Sequence, residues 1–234
     1  MSRLRRAAAE ALGSAGLLAV VVGSGIMAER LAAGSAALVL LANSLATAGG
    51  LVALILTFGP VSGAHFNPVV TLALALSGRH PREDLALYLA AQFGGAVAGV
   101  WVAHAMFGLP MEQLSSKLRP GSAMLLSEAV ATFGLLMTVF ACIRHRPAAA
   151  PWAIAAYILA AYWFTASTAF ANPAVTMART LTDTYSGIRL QDAPGFVAAQ
   201  LLGAALAVAV DRWFYPAGPH VRPIAAAVAA GAGP

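Results

Sequence analysis

Read along the chain, apolar positions do not alternate or recur on one helical face; they run on uninterrupted, in windows long enough to cross a bilayer. Such windows fall at residues 7–28, 34–58, 84–107, 122–143, 149–168 and 193–214, and about 20 apolar residues suffice for one spanning helix. The pattern predicts six transmembrane helices. Two intervals interrupt it, 61–79 and 169–190. Each holds an apolar piece too short to cross, Asn67 to Leu76 and Asn172 to Leu181, and each piece opens on Asn-Pro. Non-helical backbone at membrane depth is tolerated only where protein or water surrounds it, so these pieces read as half-membrane helices that dip in and return.

The two halves repeat. Phe66-Asn67-Pro68-Val69-Val70-Thr71 corresponds to Phe170-Ala171-Asn172-Pro173-Ala174-Val175-Thr176, Gln92 in its segment corresponds to Gln200, and Glu10 corresponds to Glu128. Repeat one covers about 5–107 and repeat two about 122–215. Three spans per half is an odd number, so the second copy enters from the opposite face as an inverted repeat. The two half-helices then converge at the bilayer centre, their N–H groups and positive dipole ends facing one another. The expected fold is all-α: six transmembrane helices plus two re-entrant half-helices in one channel domain over 1–215, followed by a disordered cytoplasmic tail at 216–234.

Composition agrees. Of 234 residues, 60% are hydrophobic and 10% charged, with a mean hydropathy of +0.78, which is outside the range of soluble domains and leaves no length for a second folded unit. The net charge of +5 sits at the ends of apolar segments rather than in a basic stripe with aromatics, so nucleic acid is not an expected partner. Arg3, Arg5, Arg6, Arg79, Arg82, Arg144, Arg146, Arg212 and Arg222 would share one side, against Arg30, Lys117, Arg119, Arg179 and Arg189 on the other. That bias places both termini in the cytoplasm. The apolar run from Ala7 to Met27 is too long for a signal-peptide core and carries Glu10, so it is read as a retained span. Cys142 is the single cysteine and is read as packing. Neither a metal cluster, a cofactor site nor an enzymatic nucleophile is evident.

On Ser62-Gly63-Ala64-His65-Phe66-Asn67-Pro68, the paired Asn-Pro motifs, Glu10 with Glu128 and Gln92 with Gln200, the chain resembles the aquaporin, or major intrinsic protein, family over roughly 5–215. The resemblance implies one pore per subunit and a homotetramer in the lipid bilayer. Asn67 and Asn172 would cap their half-helices and turn amides into the lumen, with Pro68, Val69, Pro173 and Ala174 completing the motifs. The carbonyls of Gly63, Ala64, His65, Ala169, Phe170 and Ala171 would form an acceptor ladder. Glu10 and Glu128 would brace the re-entrant loops, against a proton-relay reading that buried acids in a span also invite.

The outer filter departs from the family pattern. Most relatives carry Arg directly after the second motif, where this chain has Val175. Counting back from the Asn residues without gaps puts the remaining filter positions at Thr47, Ala160 and Ala169, none of them aromatic or charged, which implies a wider, less polar constriction than a water-only pore. Asn172 through Arg179, with Thr182-Asp183-Thr184 and Gly187-Ile188-Arg189, looks like bacterial inner-membrane members associated with arsenic resistance. That likeness implies arsenous acid and methylarsenite as solutes, with glycerol and water as the alternative cargo and an ion-coupled carrier as the alternative class. Arg179 has two readings: an outer-vestibule residue one turn beyond Val175, or half of an i,i+4 pair with Asp183.

Overall fold

A computed structural model describes residues 1–216. In chain order the helices are α1 Arg3–Leu31, α2 Ala36–Ser62, α3 Pro68–Leu76, α4 Leu85–Phe107, α5 Ser122–His145, α6 Ala150–Phe164, α7 Pro173–Ala178 and α8 Ala193–Phe214. With the 3-10 turns leading into α4 and α6, six of them are long and apolar enough to cross a membrane, while α3 and α7 are the short ones. The expected tail from 216 onward lies, apart from Pro216, outside the described residues.

The helix ends follow from local chemistry. Ser2 and Ser35 hydroxyls accept the Arg5 and Leu38 amides at the starts of α1 and α2, supplying partners to donors that a helix leaves orphaned. At its far end α2 stops on Gly63, held at φ 91°, a left-handed conformation that glycine adopts without steric cost.

Packing repeats between the halves. Helix α1 lies against α4, and α5 lies against α8, each pair through glycine. A Cβ on Gly95 would sit 2.2 Å from the Ala11 carbonyl oxygen, and one on Gly203 would sit 2.3 Å from that of Ala129. Small residues let backbones approach where lipid supplies no hydrophobic drive between helices. Gly94 next door is different: a Cβ there would meet nothing within 4 Å.

The charges segregate to two ends. At one, Asp84 binds Arg3 and Arg6, and Asp211 binds Arg79 at 2.9 Å and Arg144 at 2.7 Å. At the other, Arg30 donates to the Phe107 carbonyl at 3.2 Å and Arg189 pairs with Asp192 at 2.9 Å. Between them, α3 and α7 are wedged into the bundle, with Val69 and Ala174 almost wholly enclosed.

Candidate functional site

The two broken segments meet N-terminus to N-terminus. Asn67 and Asn172 occupy the N-cap positions of α3 and α7 in extended conformation, and Pro68 and Pro173 follow at the first helical position, where the missing N–H removes no helical bond. The Asn67 Oδ1 accepts the Val69 amide at 3.0 Å, and the Asn172 Oδ1 accepts Ala174 at 3.0 Å and Val175 at 3.2 Å. Each side-chain NH2 then reaches across: Asn67 Nδ2 donates to the Ala171 carbonyl at 2.7 Å, and Asn172 Nδ2 to the Phe66 carbonyl at 2.8 Å. An amide nitrogen carries two protons, so one of each pair remains for the lumen.

Before each Asn, the chain alternates into the left-handed region at residues that are not glycine: Ala64, Phe66, Thr168, Ala169 and Ala171 all have φ between 47° and 61°. Each such residue costs roughly 1–2 kcal/mol, and the two buried acids hold them there. Glu10 accepts the His65 amide at 3.0 Å, the Phe66 amide at 2.7 Å, the Ser62 hydroxyl at 2.6 Å and the Gln92 amide at 2.7 Å. Glu128 does the same for Phe170 and Ala171, both at 2.9 Å, and Gln200 at 2.6 Å.

A continuous cavity of about 610 Å³ runs past both asparagines, from Pro60, Ala148 and Pro151 at one end to Thr47, Tyr162 and Arg179 at the other. One side carries Gly63, Ala64, His65, Phe66, Ala169 and Phe170; facing positions are aliphatic, among them Leu51, Ile55, Val139 and Ile158. Ala171, a residue of the expected ladder, does not border this cavity, and its carbonyl accepts from Asn67; Phe66, outside the expected ladder, borders it although its carbonyl accepts from Asn172. Val69 and Ala174 stand behind the wall as packing.

Of the residues expected at the outer filter, Thr47, Ala169 and Val175 border the cavity. Ala160 does not. It faces outward on α6, and Tyr162 borders the cavity in its place, its phenol 3.2 Å from the Thr47 hydroxyl. An aromatic residue therefore borders this end of the cavity. Ungapped counting fails because α6 ends at Phe164 and a turn intervenes before Ala169; two residues on a helix are about 200° apart, which exchanges the lumen for the outer face.

Arg179 also borders the cavity, and the pairing with Asp183 is absent. Helix α7 gives way to a 3-10 turn at Arg179 and Thr182 is extended, so the i,i+4 register is lost. Asp183 instead accepts the Ser116 amide at 2.8 Å and hydroxyl at 2.9 Å, which holds its carboxyl below the ordinary range. The Arg179 guanidinium lies over the Phe170 ring, 3.4 Å from its centroid, and its Nε donates to the Ser186 carbonyl. His104 is fully buried and sits 2.8 Å from the Thr182 hydroxyl.

A family-wide sequence profile described as Major intrinsic protein matches residues 1–150 and 145–233. Aquaglyceroporin AqpS of Rhizobium meliloti (strain 1021) is 57% identical over 219 residues, covering 93% of this chain and 94% of that protein. Aquaporin NIP1-1 of Zea mays is 39% identical over 94 residues, covering 38% of this chain and 33% of that protein. Among solved structures, the aquaglyceroporin from Plasmodium falciparum superposes with a TM-score of 0.68 at 19% identity, covering 92% of this chain and 98% of that one, a likeness of fold.

Proposed function

This chain belongs to the major intrinsic protein family and is an aquaglyceroporin-type channel for small solutes, and from that premise we propose that arsenous acid and its methylated trivalent forms are its principal cargo. The observation that carries this reading is that small, uncharged Val175 and Ala169 border the outer end of the cavity, where most relatives place a guanidinium at the position of Val175. Arsenous acid is an uncharged triol near neutral pH, of glycerol-like size. Replacing one hydroxyl with methyl leaves a solute with one polar and one apolar side. The wall has the same division: carbonyls, the two asparagine amides and the Thr47 and Tyr162 hydroxyls for the polar side, and aliphatic side chains for the other. A solute keeps its hydrogen bonds while shedding water, which is what lets it cross without a large desolvation barrier.

At the waist, the free protons of Asn67 and Asn172 would donate to the passing oxygen and turn a water's own hydrogens outward, interrupting proton hopping. The half-helix N-termini, each equivalent to about half a positive charge, oppose cations at the same point. In this reading residues 1–215 form one channel unit in a bacterial inner membrane, with both termini cytoplasmic on the strength of the arginine bias, assembled as a homotetramer. An ion-coupled carrier is disfavoured because, among the described residues, no carboxylate side chain borders the cavity.

Uptake into proteoliposomes tests the cargo. Arsenite and methylarsenite are expected to enter protein-containing vesicles much faster than empty ones, without saturating and without dependence on a proton gradient. Arsenite entry equal in the two preparations, with glycerol and water still passing, rejects the arsenical reading in favour of the polyol one.

A further inference from the structure

We propose that Arg179 supplies the fixed positive charge of the outer constriction, taking over from one turn away the position that Val175 leaves uncharged, and that Arg119 is the residue that positions it. The proposal does not rest on the identity of the cargo.

Arg179 is 98% enclosed (2% exposed) yet borders the cavity. Among the described residues no carboxylate pairs with it, and its single hydrogen bond uses Nε, toward the Ser186 carbonyl. Among the described residues the two terminal nitrogens have no hydrogen-bond partner, and neither is fully sealed. A guanidinium this enclosed is ordinarily paired, because an unpaired buried charge is costly. Here its remaining donors are unpaired on a residue that borders the path. The groups that hold it are built for it: the Phe170 ring beneath the guanidinium at 3.4 Å, and Ser186, whose hydroxyl is tied to the Val21 carbonyl of α1 at 3.0 Å.

Arg119 comes from the segment between α4 and α5. Its Nε donates to the Gly187 carbonyl at 2.9 Å and its NH1 to the Ser167 carbonyl at 3.1 Å, while its own amide is fixed to Asp192 at 2.9 Å. It thereby joins the residue after Ser186 to the turn that precedes Ala169, the two backbone stretches flanking Arg179. Its guanidinium also lies near Phe170, 4.9 Å from the ring centroid, and it too lacks a side-chain carboxylate partner among the described residues. Two guanidinium groups on one ring, neither in a direct ion pair among the described residues although the Glu128 carboxylate acts on both from a distance, place a positive field at the outer mouth. A field of that kind repels cations, protons included, while leaving uncharged solutes unaffected, and it needs no side chain at 175 that would narrow the passage. Width and charge, which a single Arg supplies together, are separated here onto Val175 and Arg179.

The test reads proton leak and water flux in the same proteoliposomes, with an entrapped pH dye under a valinomycin-clamped potential for the first and osmotic shrinkage for the second. Arg179→Val is expected to raise proton leak roughly 100-fold, the factor given by losing one unit charge about 6 Å from the path at surface-like dielectric, with water flux retained. Adding Val175→Arg to that variant is expected to return the leak to the wild-type level. Arg179→Lys, which keeps the charge, stays tight, and Arg179→Gln leaks. Arg119→Lys keeps a charge but cannot span both carbonyls, and falls between wild type and Arg179→Val in leak. Wild-type tightness in Arg179→Val with water flux intact overturns the proposal, as does equal leak in the Lys and Gln variants, the comparison that decides if Arg179→Val fails to fold.

Discussion

Asn67 and Asn172 are tied crosswise, each donating an amide proton to the loop that leads into the other: Asn67 to the Ala171 carbonyl at 2.7 Å and Asn172 to the Phe66 carbonyl at 2.8 Å. The same side chains cap their own half-helices through Oδ1. Each asparagine is thus a cap and a cross-tie at once, and the two half-helices are fixed to one another as well as to the bundle.

It follows that Asn67→Ala costs more than a cap. Losing the cap accounts for about 1 kcal/mol, and orphaning the buried Ala171 carbonyl adds about 1–3 kcal/mol. A destabilisation of roughly 2–4 kcal/mol is expected in thermal unfolding in detergent, with Asn172→Ala the same within error.

The acids that hold the pore loops give a second expectation. Glu128→Gln keeps the shape, but its amide end can accept at one oxygen only, so one of the Phe170 and Ala171 amides loses its partner. About 2 kcal/mol of stability is expected to go, and more in Glu128→Ala, where all three donors are orphaned and the left-handed residues lose their restraint. If Glu128 instead relayed protons, Glu128→Gln would change the pH dependence of flux and leave the unfolding temperature alone.

Much of this arrangement is legible in the sequence. The last span is read to the residue as 193–214, and the half-helices, Glu10 with Glu128 and the inverted order follow from uninterrupted apolar runs broken twice by Asn-Pro. What is not legible depends on turns. A register error of two residues before Ala169 hides Tyr162 and offers Ala160; the end of α7 after six residues undoes a spacing that would pair Arg179 with Asp183 on a longer helix. Arg119 carries no motif at all, since only the folding of its loop back over Ser167 and Gly187 brings it beside Phe170.

The correction at α6 is itself testable. Ala160→Trp adds bulk to an outward face and is expected to leave water flux within about twofold of wild type. Ala169→Leu fills the constriction and is expected to lower it at least about tenfold, as a narrowed pore lining does. The opposite ranking in osmotic shrinkage assays would restore Ala160 to the lumen.

Asp211 offers a test of the far end. It is nearly enclosed and neutralises Arg79, which is also buried, together with Arg144. Asp211→Asn leaves two cations uncompensated, and breaking a buried pair by removing one partner typically costs about 3–5 kcal/mol. Thermal unfolding of this variant is expected to show a loss of that order. Asp183→Asn, whose partner Ser116 is exposed, is expected to cost well under half as much.

The central claim, that solutes pass through the constriction bordered by Ala169 and down between the two asparagines, is tested most directly by flux under a charged, membrane-impermeant methanethiosulfonate reagent. Cys142 is buried and does not border the cavity, so the wild-type channel is expected to be insensitive. Ala169→Cys is expected to conduct until the reagent is added, to fall to the level of empty vesicles, and to recover on reduction. Flux through Ala169→Cys that ignores the reagent would place the path elsewhere and contradict the account.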